Sequence, residues 1–115
     1  MNPARPKPGV ALLPLAALAE LDARAVDFRE GDWLFSVIVV RRGAAVTAFV
    51  NWCPHAGAPL ERPDGRVVIE DGRYLVCSAH GACFAVEDGA CAGGPSKRGL
   101  VAFPVAVENG VVIVA

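Results

Sequence analysis

Short runs rich in Val, Ile and Phe recur along the chain, each closed by a turn signal. Trp33–Val40 (WLFSVIVV) reads as a strand, Arg42-Gly43 as its turn and Ala45–Asn51 (AVTAFVN) as the returning strand. Arg66–Ile69 and Arg73–Val76, punctuated by Asp64-Gly65 and Asp71-Gly72, predict a small hairpin. Asp88-Gly89 turns Phe84–Glu87 back on Ala90–Cys91. Asn109-Gly110 joins Val105–Glu108 to Val111–Val114 and is the strongest hairpin signal, because both residues tolerate the left-handed backbone of a tight turn. The one helical stretch is a short turn over Leu15–Leu21, preceded by a first strand around Val10–Leu13. Short strands with turns about every ten residues predict an all-β fold, a small antiparallel sandwich or barrel.

Composition narrows the function. The chain has 115 residues, enough for one domain, and 54% hydrophobic content marks it as globular. Eleven Lys and Arg against twelve Asp and Glu leave a net charge of −1. That balance lacks the basic excess that nucleic acids or anionic membranes attract. The first residues (MNPARPKPG, then VALLPLAALA) imitate a secretory leader. Pro14 interrupts the apolar run, however, and nothing downstream looks extracellular. The expectation is a cytoplasmic protein with a flexible, Pro-rich tail over residues 1–8 and no membrane span.

The chemistry is concentrated in six residues. The only histidines, His55 and His80, each follow a cysteine closely, in Cys53-Pro54-His55-Ala56-Gly57-Ala58-Pro59-Leu60 and in Cys77-Ser78-Ala79-His80-Gly81. Each loop offers one thiolate and one imidazole, and the intervening hairpin can bring the loops side by side. Zinc modules more often present a cysteine pair and then a histidine pair. The alternating order suits a two-iron cluster whose cysteines hold one iron and whose histidines hold the other.

The combination C-P-H-x-G-x-P-L with C-x-x-H-G resembles the Rieske-type 2Fe-2S proteins, and the likeness extends through Phe84, Asp88-Gly89, Cys91 and Gly93-Gly94-Pro95. The resemblance implies a base over about residues 9–46 and 98–115, with a cluster-binding subdomain inserted over about 47–97. It implies that Cys53 and Cys77 bind the inner iron and His55 and His80 the outer one. Gly57 and Gly81 are expected to let backbone N–H groups approach the sulfides. Two ferric ions, two sulfides and two thiolates sum to no net charge, so neutral imidazoles ease reduction relative to four thiolates.

Departures from the respiratory branch of this family refine the expectation. The extra cysteines that tie the ligand loops there correspond to Ala58 and Ala79, and the hydroxyl donors to Ala82 and Phe84. Fewer donors predict a potential toward the lower end of the roughly −150 to +300 mV Rieske range. The missing disulfide suits a reducing compartment. The implied function is a soluble Rieske-type ferredoxin, taking single electrons from a flavin-dependent ferredoxin reductase and passing them to a terminal oxygenase. With no histidine left for a mononuclear iron and no Gly-rich nucleotide motif, the chain is read as a carrier and not an enzyme. Two rivals stand beside it: the small subunit of an assimilatory nitrite reductase, partnered by its large subunit, and a structural zinc module.

The other singled-out residues have plainer expectations. A two-residue turn at Asp88-Gly89 sets Val86 opposite Cys91, so Cys83 and Cys91 are read as two small buried thiols, not a bridge. Trp33 and Trp52 are expected to pack in the core. Arg41-Arg42 and Lys97-Arg98 are expected to be solvated turn residues.

Overall fold

The computed structural model describes residues 2–54, 57–78, 81–93 and 98–115. Among the described residues ten strands form three antiparallel sheets: β1 (Ala11–Pro14), β2 (Leu21–Glu30), β3 (Trp33–Arg42), β4 (Ala45–Val50), β5 (Val68–Glu70), β6 (Tyr74–Val76), β7 (Cys83–Ala85), β8 (Cys91–Gly93), β9 (Val105–Glu108) and β10 (Val111–Val114). The sheet orders are β1-β10-β9, β2-β3-β4 and β5-β6-β7-β8. A 3-10 turn over Leu15–Ala17 takes the place of the longer helical turn expected up to Leu21. The all-β expectation holds.

Strand β3 explains how the layers stack. Its unbroken apolar run Val37–Val40 is fully buried, which an exposed-face strand would not need. Because side chains alternate, Val37 and Val39 join Ala48, Leu12, Val112 and Val114 in one core. Ile38 and Val40 join Phe49, Leu60, Leu75 and Phe84 in the other. The central sheet is therefore a shared wall. One face packs on the terminal strands and the other on the sheet that carries the candidate site.

Strand β2 is absent from the sequence reading, yet it pairs with β3 along its whole length, from Leu21 opposite Arg42 to Glu30 opposite Trp33. The last hairpin matches the expectation, with Glu108 opposite Val111 and left-handed backbone at Asn109 and Gly110. The β7–β8 turn does not match. Phe84, not Val86, lies opposite Cys91. The cause is a connection of four residues: Ala85 N–H donates to Ala90 O, and Asp88 Oδ1 accepts from Ala90 N–H. Val86 is drawn into the core instead of the ladder, its N–H donating to Arg73 O and its carbonyl accepting from Thr47 Oγ1 at 2.8 Å.

The segment read as a flexible tail makes contacts of its own from residue 2 onward. Asn2 Nδ2 donates to Leu34 O, Ala4 is buried, and the Arg5 guanidinium lies 5.0 Å from the Phe35 ring centre and 4.9 Å from that of Phe103. Arg41 is also more than a solvated turn residue. Its guanidinium donates to Leu18 O at 2.9 Å, a carbonyl the end of the 3-10 turn leaves open, and to Gly43 O of the β3–β4 turn at 2.8 Å. Arg42 forms a long ion pair with Glu87 at 3.8 Å.

Candidate metal centre

The site is built from two loops with one backbone design. In the first, Cys53 N–H donates to Ala58 O at 2.7 Å and Gly57 N–H donates to Cys53 O at 2.8 Å. In the second, Cys77 N–H donates to Ala82 O at 2.9 Å and Gly81 N–H donates to Cys77 O at 3.0 Å. Each loop thus folds back on its own cysteine through the residues four and five positions on. The glycine in each has positive φ, +62° at Gly57 and +73° at Gly81, a conformation that costs other residues free energy. These glycine N–H groups close the loops on the cysteine carbonyls.

Both cysteines are at the floor of the site, 0% exposed at Cys53 and 1% at Cys77, and neither forms a disulfide. They belong to one buried cluster with Leu60, Ala82 and Phe84. Ala82 and Phe84, where the related branch has hydroxyl donors, are fully buried there and bring no hydroxyl. His55 and His80 lie outside the described residues, as do Ala56, Ala79 and Gly94–Lys97.

Trp52, next to the first cysteine, is 54% exposed, and Trp33 is 53% exposed, so neither packs in the core as expected. A strand end leaves each indole on the surface, and the Trp52 ring edge lies 3.8 Å from where a side chain on Gly57 would begin. Beside it a shallow cavity of about 340 Å³ is lined by Leu34, Phe35, Val50, Trp52 and Pro59, with Asn51 and Ser36 at its polar side. Cys83 and Cys91 are half-buried and unbridged; burial, Glu70 and Cys91 together push the Cys83 thiol up from its ordinary value.

Asn51 is the residue that sequence reading missed. It is the one buried polar side chain among the described residues, at 4% exposure. Its Nδ2 donates to Ser36 Oγ at 3.0 Å and to Glu61 Oε1 at 3.2 Å, while its Oδ1 accepts from the buried Leu60 N–H at 2.8 Å. From the same segment, Glu61 O accepts from Ser78 Oγ at 3.1 Å and Leu60 O from Ser78 N–H at 3.3 Å. Burial and the nearby Asp27 raise the Glu61 carboxyl above its usual value, and the Asn51 hydrogen bond opposes them.

Two buried thiols outside any disulfide, at the base of two matching loops, are a donor set for a soft metal centre, and they fit an iron–sulfur cluster. Comparison with known proteins gives the class. Residues 12–104 match the Rieske [2Fe-2S] domain, and the chain belongs to that family, whose cofactor is a 2Fe-2S cluster and whose ferredoxins transfer electrons. Among solved structures it is similar to the ferredoxin of carbazole 1,9a-dioxygenase from Nocardioides aromaticivorans IC177, with 30% identity, 96% of this chain and 98% of that one covered, and a TM-score of 0.77. A chain in the complex of reduced oxygenase and oxidized ferredoxin of carbazole 1,9a-dioxygenase is 28% identical, with 92% and 100% covered and a TM-score of 0.76. A chain described as the small subunit of an NADPH nitrite reductase, 22% identical with 92% and 96% covered and a TM-score of 0.67, shares the fold. No curated protein sequence matches the chain. Among the described residues no helix is long and apolar enough to cross a membrane.

Proposed function

We propose that this chain is the ferredoxin of a multicomponent oxygenase, accepting one electron at a time from a flavin-dependent ferredoxin reductase and delivering it to a terminal oxygenase. The observation that carries the reading is the pair of matching loops whose buried cysteines share one cluster of side chains. Cys53 and Cys77 would bind the inner iron, and His55 and His80 the outer one. The bound cluster supplies reversible one-electron storage. The protein's part is to seal the thiolate side in an apolar floor of Leu60, Ala82 and Phe84, leaving the loop tips as the side from which electrons exit. That floor offers no hydroxyl to sulfur, which supports a potential at the lower end of the family range. Cysteines that form no disulfide among the described residues support a reducing compartment, the cytoplasm.

The inserted subdomain would begin after Val50 and end before Val101, somewhat later at both ends than the sequence boundaries of 47 and 97. Val50 N–H donates to Val101 O and Phe103 N–H donates to Ala48 O, tying its two ends together on the central sheet. Anaerobic stopped-flow mixing tests the function. The dithionite-reduced protein should be reoxidised by a terminal oxygenase of the ring-hydroxylating class, and the oxidised protein should be reduced by a flavin reductase with NADH. Exchange with neither, together with co-purification on a sirohaem-containing chain, would overturn it in favour of the nitrite reductase role.

A further inference from the structure

The two loops must be held at a fixed separation if one cluster is to bridge them, and no disulfide does so among the described residues. We propose that Asn51, Glu61 and Ser78 form a hydrogen-bonded latch that sets the spacing of the two loops, with Asn51 as its positioning residue. The inference rests on the reading that these loops hold the cluster.

The connectivity carries it. Asn51 lies two residues before Cys53 and Ser78 directly follows Cys77, so the latch starts and ends beside the two thiols. Between them lies Leu60-Glu61, the exit of the first loop. Asn51 grips this segment from one side, by Leu60 N–H and Glu61 Oε1, and Ser78 grips it from the other, by the carbonyls of Leu60 and Glu61. Asn51 is itself fixed to β3, since its Nδ2 also reaches Ser36 Oγ and its N–H donates to Ser36 O at 2.9 Å. Both Nδ2 hydrogens and Oδ1 of Asn51 are thus engaged, and a buried amide with every group satisfied specifies one geometry where apolar packing would allow several. Leu60 is wholly buried, so without Asn51 its N–H would lose its partner inside the core. The latch therefore transmits the position of the central sheet to both cysteines.

The test compares Asn51→Asp, Ser78→Ala, Glu61→Leu and Glu61→Gln with the wild-type protein, loaded with its cluster. The readouts are iron release to a chelator under argon, EPR line shape after dithionite reduction, and circular dichroism for the β fold. Asp at position 51 keeps the acceptor for Leu60 but loses both donors, and release should accelerate by about 10–100-fold, the usual effect of removing an outer partner of metal ligands. Ser78→Ala, at an exposed position, should leave the fold intact, accelerate release less and broaden the EPR signal. Glu61→Leu should follow Asn51→Asp, while Glu61→Gln, which retains the acceptor oxygen, should return release close to the wild-type rate. Unchanged release and line shape in both Asn51→Asp and Ser78→Ala would overturn the latch. So would acceleration in Asn51→Asp that merely tracks lost β signal while Ser78→Ala stays like wild type. A wild-type protein that carries no iron and gives no EPR signal would instead overturn the cluster reading, and the latch with it.

Discussion

The central sheet and the two ligand loops are held together by different forces. Around β3, order comes mainly from apolar side chains that alternate between two cores. In the sheet that carries Cys77 the strands are three residues long, and around Cys53 and Cys77 order comes from hydrogen bonds: loop closure on the cysteine carbonyls and the contacts of Asn51, Glu61 and Ser78. The lesson is a division of labour. The sheet supplies stability that does not depend on metal, and the loops supply geometry that metal completes.

Substitutions separate the two. Cys53→Ser should abolish the EPR signal and the visible absorption of the cluster altogether while far-UV circular dichroism still reports the central and terminal sheets. Loss of all β signal would show that the base depends on the metal. Ile38→Ala, which truncates a fully buried side chain of the wall facing the site, should cost about 2–5 kcal/mol in chemical denaturation. Thr47→Val removes the bond that holds Val86 to the base and should cost about 1 kcal/mol. An unchanged denaturation midpoint would mean that this bond contributes nothing to joining the regions.

The smallest effect concerns Glu61. Its folded-state pKa is raised, so the folded protein binds the proton more tightly and stability falls as pH rises from the ordinary carboxylate range through the raised value. Ionised Glu61 near Asp27 is therefore a standing cost at neutral pH. Glu61→Gln should gain a few tenths of a kcal/mol, about the size of an exposed charge interaction, at pH 7. The gain should vanish below the ordinary pKa of Glu61, and a gain independent of pH would contradict the assignment.

Much of the metal-free region was legible in the sequence. The β3–β4 and β9–β10 hairpins were readable because apolar runs and turn residues agree there. Strand β2 was not, because its apolar residues shift from Leu21, Ala23 and Ala25 to Val26 and Phe28, serving opposite faces, with charges between them. Edge strands carry such charges routinely. In the site, Cys53 and Cys77 were recognised by spacing. Asn51 was not, since a lone Asn before a loop looks like any turn residue until Leu60, Ser36 and Glu61 converge on it. The β7–β8 register failed for a related reason: Thr47, distant in sequence, holds Val86 out of the ladder.

The most direct test of the central claim is EPR of the dithionite-reduced protein, prepared anaerobically with 15N-labelled histidine. The account predicts a rhombic two-iron signal with low average g and hyperfine couplings from two histidine nitrogens, arising from His55 and His80. A two-iron signal without nitrogen coupling, or a silent protein that contains zinc, would contradict it.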